Sequence, residues 1–428
     1  MTYEEALEKI HSLLSLGSRP GLDRMRCLMD RLGNPQNNLC YIHVAGTNGK
    51  GSVCAMLSSV LVAAGYKTGL FISPYITDFR ERIQINNRMI DKDVLAKAVE
   101  ETFPVLEQLR KEGVVITEFE YVNALQFYIH AQARCDIVVL ETGMGGLLDC
   151  TNIIPPPLCA IITAIGLDHT AVLGGTLTEI AAQKCGIIKE DSAVVTAAQC
   201  DEVMAVIEKT ARERRVPLLQ GQSVSAEVLH EDLHGTIFRS NGAQLQIRLA
   251  GAHQIENVKC VLAALEYLRL NDLLYISDIS VKNGLFAASN PARLQLLSEN
   301  PVVLLDGAHN PNGVEALCAA LDTHLQGKRL YGVTGMLADK DIEASLTLLD
   351  GRFDTVFTVP VNNPRAIAAP QLAEKWRTRA PHVFSCSHPL KGVEQAVAAA
   401  KANNGAVVIF GSLYLAGEIL ALQSTRNV

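Results

Sequence analysis

Short runs of apolar residues alternate with longer amphipathic segments along most of the chain. In the first half, four apolar runs predict strands, at Tyr41–Ala45, Thr68–Ile72, Asp136–Leu140 and Ala160–Ala164. The segments between them carry apolar residues near helical spacing, which predicts helices. Apolar strands that alternate with helices are typical of a parallel sheet covered on both faces. The pattern therefore predicts an α/β domain in this region.

The pattern changes between about residues 220 and 250, where polar and apolar residues alternate on both sides of Asn241-Gly242. An Asn-Gly pair between such segments predicts an antiparallel hairpin, which we attach to the first domain. The strand–helix pattern starts again near residue 290, with apolar runs at Val302–Leu305, Leu330–Thr334, Thr355–Val359 and Ala406–Phe410. We therefore predict two domains, 1–289 and 290–428, of which the second is a smaller α/β domain.

The composition is that of a folded globular protein, since 48% of the 428 residues are hydrophobic and 19% are charged. A net charge of −7 disfavours sequence-independent binding of nucleic acid, which needs a basic surface. The eleven cysteines form no C-x-x-C pair, which suits free thiols in a reducing compartment. The acidic first residues do not resemble a signal peptide, and no apolar run is long enough to span a bilayer. We expect a soluble, cytoplasmic, monomeric protein with neither nucleic acid nor membrane as a partner.

The sharpest local pattern lies between the first predicted strand and the helix that follows it. It consists of Gly46, Thr47, Asn48, Gly49, Lys50, Gly51 and Ser52. Glycines allow successive backbone N–H groups to face phosphate oxygens, and the start of the helix adds positive potential. Lys50 can then reach the β- and γ-phosphates of ATP, and the Ser52 hydroxyl can bind Mg²⁺. Gly51 is an insertion relative to the common G-x-x-x-x-G-K-[ST] pattern, and the alternative is a glycine-rich turn that binds nothing.

Polar residues follow three other predicted strands. Ser73 comes after the second strand, Glu141 after the third and Asp168-His169 after the fourth. Because the carboxyl ends of parallel strands lie at one edge of a sheet, we expect these residues near the phosphate loop, where they can hold Mg²⁺. Taken singly, Glu141 also fits a surface turn, and His169 fits a hydrogen-bonded loop histidine better than a ligand. By spacing alone, Lys184 is a solvated lysine at a helix end.

Further candidates lie at the end of the first domain and in the second. The run Asp306-Gly-Ala-His309-Asn-Pro follows an apolar segment and opens a helix, where His309 can receive an anion. A capped turn without a ligand explains that run equally well. Arg293 can reach a phosphate or a carboxylate, and Asn257 lies on a segment that ends the first domain; neither is distinctive by itself.

Eight motifs occur in one order along the chain: GTNGKGS, Ser73-Pro74, ETGMGG with LDCTN, GLDHT, QKCGIIK, GAHQIEN, DGAHNP and GMLADKD. Together they resemble the folylpolyglutamate synthase/dihydrofolate synthase family, a branch of the Mur ligase superfamily, over nearly the whole chain. The resemblance implies an α/β architecture with a P-loop, Mur-ligase-like ATP-binding parallel sheet domain and a smaller Rossmann-like C-terminal domain, the active site lying in the cleft between them. It also implies that ATP phosphorylates a carboxylate of a pteroate or folate, and that the amino group of L-glutamate then displaces the phosphate to form an amide.

The same resemblance implies a role for each candidate residue. The magnesium ligands of the family match Ser52, Ser73, Glu141 and His169. Its nucleotide contacts match the phosphate loop, Asn257, Arg293 and Asp306. Lys184 matches a lysine that is carbamylated in relatives, and His309 matches a position in the second domain's part of the substrate site. With Lys50, these two residues are the catalytic candidates.

Dihydropteroate and reduced folates share the pterin and differ at the carboxyl group that is extended, so that one cleft can serve both. The loop Pro20–Arg24 matches a region near the pteroate in bifunctional relatives, which favours a bifunctional enzyme over a monofunctional folylpolyglutamate synthase. Three positions depart from the family: Tyr75 replaces a usual histidine, Leu147 a usual arginine and Ala292 a usual glycine. They point to a shift in substrate preference, and a requirement for a monovalent cation is left open.

Three other classes compete with this interpretation. A Mur ligase that acts on a UDP-muramyl precursor usually carries a UDP-binding domain before the P-loop, and too few residues precede Gly46 to form one. A P-loop kinase or simple NTPase predicts ATP turnover that does not depend on glutamate, and leaves the DGAHNP domain unexplained. A non-catalytic nucleotide-binding protein predicts ATP binding without turnover.

Overall fold

The computed structural model describes residues 1–14 and 20–426, and they form two compact units. The first unit consists of Met1–Tyr75, Arg80–Ser225 and Glu256–Ala288, and the second of Ile76–Phe79, Ala226–Ile255 and Ser289–Val428. The hairpin region that we attached to the first domain thus groups with the second unit. The boundary between residues 289 and 290 stays a prediction.

The first unit is built on an eight-stranded sheet. Its strands are β1 (Tyr41–Ala45), β2 (Thr68–Phe71), β3 (Ile83–Ile85), β4 (Arg88–Met89), β5 (Ile137–Glu141), β6 (Cys159–Ile162), β7 (Val194–Thr196) and β8 (Leu218–Gln220). Their order across the sheet is β4-β3-β2-β5-β1-β6-β7-β8. The six strands from β2 to β8 in that order run parallel, and β3 and β4 are added antiparallel at one edge. The phosphate loop follows β1, in the middle of the sheet.

Helices cover this sheet on both faces. They are α1 (Tyr3–His11), α2 (Asp23–Arg31), α3 (Lys50–Ala63), α4 (Lys92–Lys111), α5 (Glu118–Gln132), α6 (Thr170–Leu173), α7 (Leu177–Cys185), α8 (Asp201–Arg214), α9 (His253–Leu270) and α10 (Asp278–Ala287). Every residue of β1, β5 and β6 is buried, which explains why these strands have continuous apolar sequences rather than alternating ones.

The helix that follows the phosphate loop, α3, is buried around almost its whole circumference. Its partner α10 approaches so closely that a Cβ atom on Gly284 would lie 2.3 Å from the Cα atom of Val60. Only glycine permits this backbone contact, so that α10 is the specific cover of the phosphate-loop helix.

The second unit contains two sheets. Strands β9 (Glu227–Asp232), β10 (Gly235–Ser240) and β11 (Ala243–Ile247) form a three-stranded antiparallel sheet in the order β11-β10-β9. The predicted hairpin is its β10–β11 part. The other sheet has six strands in the order β12-β13-β17-β14-β15-β16.

The six strands are β12 (Gln295–Glu299), β13 (Val302–Leu305), β14 (Leu330–Thr334), β15 (Thr355–Thr358), β16 (His382–Ser385) and β17 (Ala406–Phe410). The helices of this unit are α11 (Pro311–His324), α12 (Ile342–Leu348), α13 (Ala369–Trp376), α14 (Pro389–Ala402) and α15 (Leu413–Arg426). Side chains of β17 alternate between two core clusters, one shared with α11 to α13 and one with α14 and α15. The smaller α/β domain is therefore confirmed as a mainly parallel sheet with helices on both faces, and β12 pairs antiparallel at its edge.

The helices and the cysteines bear on the expectations about membranes and disulfides. Among residues 1–14 and 20–426, no helix is both long and apolar enough to cross a membrane. The eleven cysteines are free thiols.

Candidate active site

The phosphate loop lies between β1 and α3, and two glycines fix its course. Gly49 has φ of 91° and occupies the position before α3, in the left-handed region that favours glycine. A Cβ atom on Gly49 would lie 2.3 Å from Asn257 Oδ1, and one on Gly46 would lie 1.7 Å from Thr163 Oγ1. The structure therefore brings Asn257 of α9 to the phosphate loop, and its contact with the nucleotide stays a prediction.

Backbone hydrogen bonds join the phosphate loop to the segment after β6. The Thr47 N–H donates to Ala164 O at 2.9 Å, and the Thr47 hydroxyl donates to Gly166 O at 3.0 Å. The Thr163 hydroxyl donates to Asn48 O at 2.7 Å. These hydrogen bonds fix the course of the phosphate loop against the segment after β6.

Two lysines converge on one carbonyl oxygen of this loop. Lys50 Nζ lies 3.1 Å from Gly46 O, and Lys184 Nζ lies 2.7 Å from the same atom. Lys184 is 4% exposed at the end of α7, so the expectation of a solvated lysine is wrong. Helical spacing gave no sign of this burial, because the covering atoms belong to a loop more than a hundred residues earlier.

Burial is the main cause that lowers the pKa of Lys184 to about 7; the nearby Lys50 ammonium contributes to the decrease, while Asp168 and Asp149 act in the opposite direction. A low-dielectric environment disfavours the charged ammonium, as does a neighbouring positive charge. Near neutral pH a large fraction of Lys184 is therefore an uncharged amine. An uncharged amine is the form that reacts with CO₂ to give a carbamate.

Two of the four predicted magnesium ligands meet directly. Glu141 is the last residue of β5 and is buried, and its Oε2 accepts the Ser73 N–H at 3.1 Å. Ser52 is buried in the first turn of α3. His169 precedes α6 with φ of 52°, and its N–H donates to Asp168 Oδ1 at 2.8 Å. All four residues follow or end neighbouring strands at the carboxyl edge of the sheet.

These donors suit Mg²⁺ better than a transition metal. Glu141 supplies one carboxylate and the two serines supply hydroxyl oxygens, whereas Mg²⁺ typically takes one or two carboxylates and completes its shell with water and phosphate oxygens. Among the residues that the structure describes, no group of three or more His, Cys, Asp and Glu side chains is arranged to hold a metal. The residues present therefore fit magnesium that arrives with ATP, rather than a resident metal held by the protein alone.

The loop that follows Glu141 folds around Asp149. Asp149 Oδ2 accepts the Met144 N–H at 2.8 Å, and its Oδ1 accepts the Thr151 N–H at 3.0 Å and the Thr151 hydroxyl at 2.6 Å. Burial raises the pKa of Asp149, and these hydrogen bonds oppose the rise. The sequence places Asp149 in the LDCTN motif but gives no sign that its carboxylate holds the glycine-rich loop.

The same loop is held from its other side by the segment that carries Lys184. The Lys189 ammonium donates to the carbonyl oxygens of Asn152 and Ile154, and the Asn152 side-chain amide donates to Gly186 O at 3.0 Å. The motif QKCGIIK thus supplies one buried lysine, which contacts the phosphate loop, and one half-buried lysine, which contacts the loop after Glu141. Sequence reasoning identified only the first.

In the second unit, Asp306 holds the loop that carries Arg293. Asp306 Oδ2 accepts the Leu294 N–H at 2.8 Å, and its Oδ1 accepts the Ala308 N–H at 2.7 Å. Ala292 and Leu294, on either side of Arg293, have φ of 57° and 45°. Non-glycine residues rarely adopt this conformation unless the surrounding structure imposes it, and it is frequent at functional sites. Nucleotide contacts of Arg293 and Asp306 stay a prediction.

His309 lies just before α11, as the sequence predicts. Its Nδ1 donates to Gly307 O at 2.7 Å, which fixes the ring, and the Asn310 side chain caps the helix by accepting the Gly313 N–H at 2.8 Å.

Two of the residues that depart from the family lie in the first unit. Leu147 is half-exposed, and the Arg82 guanidinium carbon lies 5.3 Å from the centre of the Tyr75 ring.

Two family models match the chain. The Mur ligase middle domain matches residues 44–265, and the Mur ligase glutamate ligase domain matches residues 292–413. Together with the fold and the phosphate-loop edge, they define an ATP-dependent ligase.

The relatives narrow this class. The dihydrofolate synthase/folylpolyglutamate synthase of Bacillus subtilis is 36% identical over 97% of this chain and 98% of its own length. The structure of folylpolyglutamate synthase from Thermotoga maritima has a TM-score of 0.85 at 34% identity and covers 100% of this chain and 97% of its own. The Escherichia coli protein FolC, solved with DHPP and ADP, has a TM-score of 0.87 at 30% identity and covers 100% and 99%. The chain belongs to the folylpolyglutamate synthase/dihydrofolate synthase family.

Proposed function

We propose that this chain joins L-glutamate to the carboxylate of dihydropteroate and of reduced folates, in an ATP-dependent reaction that passes through an acyl phosphate. The observation that carries the proposal is that the phosphate loop and the Ser73–Glu141 pair lie at the same edge of one sheet. The Bacillus subtilis relative of this chain is named for both activities. A monofunctional folylpolyglutamate synthase is the second candidate, since the Thermotoga maritima relative has that name alone.

The chemistry requires a good leaving group on a carboxylate. Phosphorylation supplies one, but it brings two anions together, so positive charge must compensate as the γ-phosphoryl group moves. Lys50 leaves the loop carbonyl oxygens of Gly46 and Thr47 and contacts the β- and γ-phosphates. The loop N–H groups and the start of α3 hold the phosphate chain in place. The α-amine of glutamate then attacks the acyl carbon, phosphate leaves, and the amine proton passes to solvent or phosphate.

Magnesium fits this site, with Ser52, Ser73, Glu141 and His169 as its ligands, and when bound it would neutralise charge on the phosphate oxygens. The Ser73 N–H to Glu141 hydrogen bond supports two of these assignments, because it holds the carboxylate beside Ser73 at the sheet edge. Contacts of Asn257, Arg293 and Asp306 with the nucleotide, and of His309 with substrate, belong to the same proposal.

We further propose that Lys184 is carbamylated in the active enzyme. The lowered pKa of its amine and its position beside Lys50 support this, because a carbamate would replace an unfavourable pair of positive charges by an ion pair. Mass spectrometry after trapping in bicarbonate would reveal the adduct on the peptide that contains Lys184. An unmodified peptide in active enzyme would contradict it.

Incorporation of labelled glutamate tests the function directly. Parallel reactions contain ATP, Mg²⁺ and either 7,8-dihydropteroate or tetrahydrofolate, and each is repeated without glutamate. Incorporation with both acceptors is the expected result, whereas incorporation with tetrahydrofolate alone would establish the monofunctional enzyme. ATP hydrolysis that is unaffected by glutamate, with no incorporation, would refute the proposal and favour an NTPase.

We also propose that the enzyme is a cytoplasmic monomer. Its net charge of −7 disfavours self-association, and its free cysteines suit a reducing compartment. Sedimentation equilibrium at micromolar concentration should give the mass of one chain, and a mass of two chains would contradict it.

A further inference from the structure

A buried histidine lies at the start of the hydrogen-bond chain that supports the loop after Glu141. His43 is in β1, three residues before the phosphate loop, and it is completely buried. Its Nε2 lies 2.9 Å from Thr151 Oγ1, whose hydroxyl donates to Asp149. The mechanism above gives His43 no role, and it does not belong to the predicted site.

The donors and acceptors in this series of hydrogen bonds can be assigned in only one way. The Thr151 hydroxyl has a single hydrogen, and the acceptor carboxylate of Asp149, 2.6 Å away, takes it. Thr151 Oγ1 must then accept from His43, so that the histidine hydrogen is on Nε2. His43 Nδ1 is buried and has no hydrogen-bond partner. A bare nitrogen there costs less than a buried N–H without an acceptor, which supports the same tautomer.

Asp149, the last residue in this series of hydrogen bonds, contacts the backbone of the loop after Glu141. Asp149 accepts the N–H of Met144, three residues after Glu141. A Cβ atom on Gly143 would lie 3.2 Å from Asp149 Oδ2 and 2.2 Å from the Phe119 ring, so the backbone at Gly143 is confined between these two side chains. A change in the direction of the Asp149 carboxylate therefore moves the peptide that follows Glu141.

We infer that His43 is a positioning residue for the metal-binding edge: its Nε2–H holds Thr151, Thr151 orients Asp149, and Asp149 fixes the loop that follows Glu141. This inference rests on the proposed role of Glu141 as a magnesium ligand. It assigns His43 to Mg²⁺ binding rather than to proton transfer. Burial and the nearby Lys189 lower the pKa of His43 to about 3, in accordance with a ring that stays neutral.

Two amide substitutions differ in whether the side chain can reach Thr151. In His43→Gln, the amide nitrogen can occupy the position of Nε2 and still donate to Thr151. In His43→Asn, the amide reaches only as far as Nδ1, so the same polar group is buried without that contact. Both variants bury an extra carbonyl oxygen, and they differ in the Thr151 hydrogen bond and in one methylene group.

Metal binding is measured with Mn²⁺ as the probe, by the electron paramagnetic resonance of free Mn²⁺ in the presence of saturating ADP. We expect His43→Gln to bind Mn²⁺ like the wild type and His43→Asn to bind about tenfold more weakly or worse, as when other supporting partners of metal ligands are removed. The KM for glutamate should be the same in both variants. Equal Mn²⁺ affinity in the two folded variants, whether both normal or both weakened, would overturn the inference.

A control and a direct measurement complete the test. Glu141→Gln in the same titration examines the proposed function: normal Mn²⁺ binding there would remove the metal role of Glu141, and the inference about His43 with it. The wild-type protein, labelled with ¹⁵N-histidine, needs no variant to fold. Its His43 resonances, identified by their absence in His43→Gln, should show a neutral ring with hydrogen on Nε2 from pH 6 to 8, and hydrogen on Nδ1 would overturn the inference.

Discussion

The buried ammonium of Lys184 should make the stability of the first unit depend on pH. Its pKa is about 7 in the folded chain against a usual 10.5, because burial disfavours the charged form. Between these values the unfolded chain binds a proton that the folded chain does not, so stability rises as pH rises. Each pH unit is worth at most about 1.4 kcal/mol, and because the folded group is half protonated at pH 7, the predicted gain between pH 7 and pH 9 is about 2 kcal/mol.

The variant Lys184→Met removes this titration and keeps the length of the side chain. Other groups titrate in both proteins, so the relevant quantity is the difference in unfolding free energy between wild type and variant. That difference should be constant below pH 7 and should rise in favour of the wild type above it. Urea unfolding in CO₂-free buffers at several pH values measures it, and wild-type stability should increase again on addition of bicarbonate if the carbamate forms.

The two units can be followed separately in this assay. The single tryptophan, Trp376, lies in the second unit, so its fluorescence reports on that unit, whereas far-ultraviolet circular dichroism reports on both. The pH-dependent difference should appear in the circular dichroism transition and not in the fluorescence transition. A difference that stays flat from pH 7 to pH 9 would show that Lys184 keeps an ordinary pKa, and the argument for an uncharged amine would fail.

Three further substitutions test the geometry of the sites. Gly49→Ala should weaken ADP binding at least tenfold, because its Cβ would meet Asn257, whereas Gly65→Ala, at a φ of 93° with open space around it, should bind ADP normally in the same calorimetric titration. Thr163→Val should raise the KM for ATP several-fold by removing the hydroxyl that holds the phosphate loop; Thr163→Ser should restore it, and equal steady-state KM values for the two would contradict this. Asp306→Asn should destabilise the second unit by about 1–3 kcal/mol. The amide NH₂ group would replace one of the two carboxylate oxygens that now accept backbone N–H groups, so that two donors would face each other. Tryptophan fluorescence during urea unfolding measures that loss, and an unchanged midpoint would contradict it.

The strands whose ends the sequence predicts to the residue are almost wholly buried, although burial does not ensure prediction, since the short buried strand β7 was not predicted. β1, β14 and β17 begin and end at the predicted residues, and every residue in them is buried. β12 and β16 were not predicted, and both lie at the edges of their sheet, where exposure is mixed and the apolar pattern is weak. Periodicity reports on burial, and an edge strand has too little burial to produce it.

Some features of the candidate site could be predicted from the sequence and others could not. Residues within one strand–loop–helix unit, such as Lys50 and Ser52, follow from local sequence because their neighbours in space are their neighbours in the chain. The burial of Lys184 and the contact between His43 and Thr151 join residues more than a hundred positions apart. No spacing rule covers such pairs. The order of the motifs indicated the family of the chain, but only the fold shows which side chains contact one another.

The cover of the phosphate-loop helix by α10 has a consequence for synthesis on the ribosome. Gly284 of α10 contacts the backbone of α3 at Val60, and about 220 residues separate them in the chain. At about 5–20 residues per second, translation of that interval takes roughly 10 to 45 s. During this time the apolar surface of α3 has emerged while its cover has not yet been made, and part of the other unit is translated in between. The nucleotide-binding unit therefore cannot complete its core until α10 has been made, and a nascent chain halted before residue 278 should be a strong client for chaperones.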